Sequence, residues 1–370
     1  MSRAREFADL AGSADAGGLT GRNLLINGAM QVAQRSTQVT SISTGGYKSL
    51  DRMRHSASSL GTARFTQEQV TDSPDGFGHS LKLTTTTAEG SVGADDALRA
   101  IEYRIEGQDI QQLNYGSSSA QKVTLSFYVK SSLTGTYAVS LKASSATDRV
   151  ISSTYTISSA NTWERKTLTF DGDTSVAITN DNANRLTIFF CAGSGSDFTS
   201  TDSTSWIDYV STGLHFGQTA QLQNTLNATW QITGVQLEVG EQATPFEHRS
   251  FGEELGLCQR YYQKSYDYGT AIGASTTIGA IFSRIGTSVS NQPVQVVFPV
   301  SMRGEPTDTI YSLAGTAGSV SDCGTSYSHD HDEGASINGT VGQTGFSKMQ
   351  SVTMTAGNVY GFHYTMDAEL

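Results

Sequence analysis

His329-Asp330-His331-Asp332-Glu333 is the densest run of metal-ligating side chains in the sequence. Imidazole and carboxylate together suit divalent cations, and an HxH pair on a strand turns both rings to one side. The run lies between Gly324 and Gly334, where a loop is expected, and no apolar stretch flanks it tightly. One HxH is a weak signal, so a plain polar loop is the simpler reading. The carboxylate pairs Asp95-Asp96 and Glu253-Glu254 raise the question of glycoside cleavage, which needs two carboxyl groups at a set separation. Sequence neighbours usually diverge in direction, and solvated acids are the commoner outcome. There is no GxSxG elbow, HExxH, phosphate-binding loop or post-strand GxGxxG. An enzyme is not expected.

Aromatic side chains offer a second kind of chemistry, stacking on sugar rings. Tyr261, Tyr262, Tyr266 and Tyr268 crowd one segment, and Trp206 and Tyr209 follow a Ser/Thr/Asp-rich stretch from Ser194 to Ser205. The competing reading for both sets is a core or a subunit contact. Cys191, Cys258 and Cys323 are far apart and have no CxxC spacing, which argues against a disulfide framework or a zinc site. Cys191, after Ile188-Phe189-Phe190, reads as a small core residue. The formal net charge of −11 disfavours nucleic acid and anionic lipid as partners. No apolar run reaches membrane-spanning length, so no membrane insertion is expected. Residues 1–18 are polar and carry acids, unlike a secretory signal.

The elements that would position these groups are strands. With 38 glycines and only 16% charged residues, the chain alternates short β-branched or aromatic runs with Gly, Ser, Asn and Asp, the pattern of all-β sandwiches. Val123, Leu125, Phe127 and Val129 alternate with polar residues, and so do Tyr137, Val139, Leu141 and Ala143. The turn from Ser131 to Gly135 between them is of hairpin length. Trp163–Phe170 and Arg185–Cys191 give two more strands, and a closing strand carries Trp230, Ile232, Val235, Leu237 and Val239, with a phase shift at Thr233-Gly234 that reads as a bulge. Thr244-Pro245-Phe246 ends regular pairing. Ser250 and Glu253 form a capping box, placing a helix with Phe251, Leu255, Cys258 and Tyr262 on one face. Beyond it, strands are expected over Val294–Val300, Met349–Met354 and Tyr360–Met366.

The blocks Gly21-Arg22-Asn23-Leu24-Leu25-Ile26-Asn27-Gly28-Ala29-Met30-Gln31-Val32-Ala33-Gln34-Arg35, Trp230 to Gln263, and Phe298-Pro299-Val300-Ser301-Met302-Arg303-Gly304-Glu305-Pro306-Thr307 resemble tail-fibre and virion-surface proteins of tailed bacteriophages. Asn161 to Phe170 and the strand from Trp230 to Val239 are also similar to strands of carbohydrate-binding jelly rolls, where they are structural. The expected architecture is all-β: an N-terminal virion-attachment peptide over 1–22, a jelly-roll β-sandwich over 23–249, a short linking helix over 250–264 and a C-terminal β-sandwich-like domain over 265–370 that contacts the host.

The resemblance implies a tail-fibre subunit that attaches to host surface glycans and is assembled into virions in the host cytoplasm. A head-surface fibre or decoration protein is the alternative, and a glycan-cleaving depolymerase a weaker one. It implies a homotrimer, with Leu255 and Tyr262 facing neighbouring subunits, and an axial metal held by three His329/His331 pairs. Arg3, Arg5, Phe7 and Leu10 would anchor the chain to another virion protein, because this peptide has too little apolar surface to fold alone. Which residues would meet the glycan is left open.

Overall fold

The computed structural model describes residues 21–286, 290–337, 341–351 and 354–370. Arg3, Arg5, Phe7 and Leu10 of the expected anchor lie outside the described residues. The chain is all-β apart from one α-helix and short helical turns among the described residues, and it divides into two compact units. The first takes residues 21–31, 39–47 and 53–250; the second takes 32–38, 48–52 and 251–370. The division after Ser250 lies beside the expected one. The assignment of 32–38 and 48–52 to the second unit departs from the expected single block 23–249.

The first unit is a jelly roll. Its strands are β1 (Gln38–Ile42), β2 (Gly46–Tyr47), β3 (Arg54–Ser58), β4 (Arg64–Val70), β5 (Ser80–Thr87), β6 (Ala97–Glu106), β7 (Val123–Ser131), β8 (Gly135–Ala143), β9 (Arg149–Ile157), β10 (Glu164–Phe170), β11 (Asn184–Ser194), β12 (Ile207–Asp208) and β13 (Thr229–Val239). One sheet runs β1-β4-β5-β13-β7-β10 and the other β12-β9-β8-β11-β6-β3-β2. The segment from Ser131 to Gly135 is therefore not a hairpin. It carries the chain from one sheet to the other, because β7 pairs with β10 and β13 while β8 pairs with β9 and β11. Alternation drives this arrangement: Leu125, Phe127 and Val129 point inward from the first sheet and meet Val139, Leu141 and Phe190 from the second. Phe127 packs edge-on against Phe190 at 5.3 Å and against Tyr155 at 5.1 Å. Trp230 is fully buried and its indole N–H donates to the Tyr155 hydroxyl at 3.0 Å. Each such ring contributes about 1.5–3 kcal/mol through burial.

The second unit holds α1 (Phe251–Gln259), β14 (Tyr262–Lys264), β15 (Ile281–Arg284), β16 (Asn291–Val297), β17 (Thr307–Tyr311), β18 (Ser319–Asp322), β19 (His331–Ser336), β20 (Val341–Gly342), β21 (Gly345–Ser351) and β22 (Val359–Asp367). β22 is the hub, pairing with β14, β15, β17 and β18. The helix starts directly after Ser250 but stops at Gln259, short of the expected 264. Gly252 and Gly256 weaken it, and from Tyr262 onward the backbone pairs with Asp367, Met366 and Thr365.

A cluster of buried charges sits beside this hub. Arg35 pairs with Asp51 at 3.0 Å, Asp367 at 3.0 Å and Glu369 at 3.4 Å, and its guanidinium stacks 3.8 Å from the Tyr262 ring centre. Arg52 pairs with Glu369 and lies 3.6 Å over the Tyr261 ring. The side chains of Arg52 and Asp51 are each about 1% exposed. Burial alone would lower the Arg35 pKa, but Glu369, Asp367 and Asp51 hold it above the usual range. Burial raises the Asp51 carboxyl to about 6, against the lowering pull of Arg35 and of the Gln34 backbone N–H. Val32, Ala33, Gln34 and residues 49–52 are thus buried within the C-terminal unit.

Candidate functional site

The outer face of the first sheet is shaped by one irregularity. Between Thr233 and Gln236 the register of β13 against β7 slips, which confirms the bulge read from the sequence. Gly234 sits there at φ +63°, and a Cβ on it would come within 2.7 Å of the Phe77 ring. The freed backbone of Val235 finds partners in the N-terminal segment: its N–H donates to the Gly28 carbonyl at 2.9 Å, and its carbonyl accepts from Asn23 Nδ2 at 3.1 Å. Asn23 Oδ1 also accepts from the N–H groups of Leu25 and Leu237. Arg249 donates to the carbonyls of Asn23 and Leu25. Two of the three sequence blocks set out above, 21–35 and 230–263, are therefore locked together here.

The segment 243–248 crosses the same face. The Thr244 hydroxyl and backbone N–H donate to Glu238, and the Glu247 N–H donates to Gln236 Oε1 at 2.8 Å. Over the bulge, Phe77 meets Phe246 edge-on at 5.1 Å, His248 at 5.2 Å and Tyr128 at 5.5 Å. With Arg165 and Asp75 at the rim, these rings line an open hollow of about 440 Å³. Arg165 is held by a bond to the Thr244 carbonyl at 3.2 Å. Two residues along β7 from Tyr128, on the same face, Lys130 Nζ lies 5.1 Å from the Trp163 ring centre and pairs with Asp72. The Trp163 indole N–H donates to the other Asp72 oxygen at 3.2 Å. Lys130, and then Trp163, hold the Asp72 carboxyl below its ordinary pKa against a partial burial effect. The face thus presents rings with fixed orientations beside charged and amide groups, the combination that suits a polyhydroxylated ligand.

Most of the sequence-derived candidates lie elsewhere. His329 is in a loop and His331 opens β19. His329 Nε2 engages Asp332 at 2.9 Å, and His331 engages Asp330 at 3.3 Å and Glu333 at 3.1 Å. Among the described residues no group of three or more His, Cys, Asp or Glu is placed to hold a metal within the chain. Asp330 and then Glu333 raise the His331 pKa, so these carboxylates favour an imidazolium there. Leu255 is half-buried, and Tyr262 is buried under Arg35 within its own unit. Tyr261 is likewise buried, under Arg52, and Tyr266 stacks on His363 at 3.9 Å. Phe77, Phe246 and His248 were not singled out by the sequence, because each stands in an irregular segment with no periodicity to mark it.

One pair has the outline of catalytic machinery. Ser194 Oγ lies 2.9 Å from His215 Nδ1. Arg99 Nε donates to His215 Nε2 at 3.1 Å, so Nε2 is the acceptor and Nδ1 carries the proton. His215 therefore donates to Ser194 and has no free lone pair to take its proton. Burial, and then the Arg99 charge, depress the His215 pKa well below its ordinary value. This is a buried polar network, not an activated serine.

No protein-family model matches the chain, and no curated protein matches it in sequence. Several solved structures are similar to it. The enzymatically active domain of bacteriophage CBA120 tailspike protein 4 is 14% identical over 59% of this chain and 21% of its own, with a TM-score of 0.31. The family 11 carbohydrate-binding module of the Clostridium thermocellum cellulase Lic26A-Cel5E is 13% identical over 55% of this chain and 100% of its own, with a TM-score of 0.28. A family 30 carbohydrate-binding module is 8% identical over 61% of this chain and 97% of its own, with a TM-score of 0.26. Matches at this level assign no ligand and no activity to the chain.

Proposed function

We propose that this chain is a fibre subunit on the surface of a tailed-phage virion, and that its jelly roll binds host surface glycan through the outer face of the first sheet. The observation that carries the glycan reading is the aromatic hollow over Gly234, rimmed by Arg165 and Asp75. The phage reading is supported by the three sequence blocks, two of which bond to each other around the β13 bulge. Within this reading the chain is a tail-fibre homotrimer, anchored to another virion protein by the peptide containing Arg3, Arg5, Phe7 and Leu10. Its role is binding without cleavage. A shallow open site gives modest affinity, and threefold copies on many fibres multiply it. Exposed Ile278, Val297 and Tyr327, at 64%, 70% and 62%, favour a further host contact by the C-terminal unit.

Calorimetric titration of the full chain with purified lipopolysaccharide O-chains and capsular oligosaccharides tests the glycan reading. Tyr128→Ala and Phe246→Ala should each weaken binding roughly tenfold, the upper range of one aromatic contact. Unaltered binding in both variants would contradict it. Light scattering of the same samples tests the trimer, and a monomer at micromolar concentration would count against it.

A further inference from the structure

The jelly roll carries two more hollows, which share no lining residue with the aromatic one. One, of about 290 Å³, opens at the mouth of the sandwich between β9 and β10, where Thr154, Thr169, Thr204, Asp171 and Phe216 line it. The three threonines and Asp171 are exposed and Phe216 is half-buried. The other, of about 340 Å³, is lined by Gln111, Asn114, Tyr115 and Ser117. Trp206, itself half-buried, joins them. Its indole N–H donates to the main-chain oxygen of Asp171, in the wall of the first, at 2.6 Å. Its ring meets Tyr115, in the wall of the second, edge-on at 5.7 Å.

Both walls depend on glycines that nothing larger could replace without strain. Gly217 has φ +86°, and a Cβ there would meet Thr154 Cγ2 at 2.7 Å. Gly116 has φ +82°, and a Cβ there would meet the Ala177 nitrogen at 2.3 Å. These segments are pressed onto their neighbours, which fixes the hollows in shape. Their chemistry is hydroxyl, amide and one carboxylate around aromatic rings, with no cation among the lining residues. That set recognises the hydroxyl groups of a neutral glycan by hydrogen bonding.

We infer that the edge of the sandwich around Trp206 is a second glycan site, separate from the aromatic hollow, so that each jelly roll holds two stretches of polysaccharide. The inference rests on the glycan-binding reading of the jelly roll. Two sites on one rigid body raise the effective concentration of a long chain at the second once the first is engaged. They also explain why hydroxyl-bearing residues crowd the strand ends at this edge.

The chain has three tryptophans, and Trp230 is buried in the core. Trp163→Phe therefore leaves Trp206 as the half-exposed emitter, and Trp206→Phe leaves Trp163. Each variant is titrated with a mixed-linkage β-glucan tetrasaccharide and with lipopolysaccharide O-chain fragments, and stoichiometry is read by calorimetry. The expected result is a saturable emission change in Trp163→Phe. Thr169→Lys combined with Thr204→Lys, or Thr154→Lys alone, should abolish that change and halve the bound glycan per chain without moving the melting midpoint. An unchanged Trp206 signal, with a single bound glycan that Tyr128→Ala removes, would overturn the second site and leave the first standing. No glycan bound by the wild-type chain would overturn both.

Discussion

The two units are held together by different physics. The jelly roll is closed by rings and branched aliphatics such as Phe127, Phe190 and Trp230, and its buried charges, such as Glu102, Asp173 and Glu238, are scattered singly over its two sheets. The C-terminal unit has a smaller apolar core around Phe346, Phe362 and Met366, and beside it a nearly dry cluster of Arg35, Asp51, Arg52 and Glu369. Removing a side chain from an apolar core leaves a cavity, and the cost follows its volume. Removing one member of a buried ion cluster leaves a charge with too few partners, and the penalty is abrupt. The first unit gains stability from its own contiguous strands. The second depends on two short segments that lie about two hundred residues earlier in the sequence.

The largest expected effect breaks that dependence outright. A fragment of residues 265–370, or 251–370, lacks Arg35, Asp51 and Arg52, which pack inside the same unit. It should fail to give a cooperative thermal transition. A well-folded fragment would show that the charge cluster is dispensable.

A smaller cut sharpens the comparison. Arg52→Ala should destabilise the C-terminal unit by about 3–5 kcal/mol, because Glu369 would keep Arg35 alone as its cation. Replacing both Arg52 and Glu369 with Met should recover much of this, as apolar substitutes for buried pairs often do. In the jelly roll, Phe127→Ala should cost a similar 3–5 kcal/mol, but no partner substitution should rescue it. Chemical denaturation curves of the three variants decide the matter.

The two regions should also respond to pH with opposite sign. His215 has a depressed folded pKa, so its contribution is complete above its ordinary value near 6.5 and is lost as pH falls below that. Asp51 has a raised folded pKa, so its contribution is complete below its ordinary value near 3.8 and is lost as pH rises through about 6. Hydrogen exchange reads each region by itself. Between pH 4 and 6.5, protection around His215 should rise with pH while the Asp51 share of protection in 48–52 falls. Asp51→Asn should flatten the second trend, and a persistent trend in that variant would assign it to another group.

The smallest effect concerns the expected metal site. His331 has its pKa raised by Asp330 and Glu333, so its small stabilising contribution should fade as pH rises through that raised value. His331→Gln should remove this dependence with little change in melting. Elemental analysis of the assembled protein asks whether three chains supply a metal through His329 and His331. A stoichiometric transition metal would support that expectation, and its absence would leave a surface ion network.

Much of the fold was legible in the sequence because it is written in alternation. Leu125, Phe127 and Val129 mark an inward face whichever sheet the strand joins, and Gly234 breaks the phase of β13 where the bulge stands. Which sheet β8 would join was not legible, since a five-residue turn suits both a hairpin and a crossing between sheets. Nothing in the local sequence marks Arg35 and Arg52 as buried, because their partners Asp367 and Glu369 lie more than three hundred residues away. The hollow escaped for a similar reason. Phe77, Tyr128 and Phe246 come from three distant segments, and only Tyr128 lies in a regular strand.

The central contrast, with the jelly roll as the glycan-reading unit, is tested most directly by adsorption inhibition. Residues 21–250 contain all of the first unit except its undescribed N-terminal residues. If the proposed function holds, this piece should block attachment of a phage carrying the chain to its host, and its Phe246→Ala form should block far less. If the full chain blocks attachment while folded 21–250 does not, the jelly roll is a spacer and host recognition belongs to the C-terminal unit.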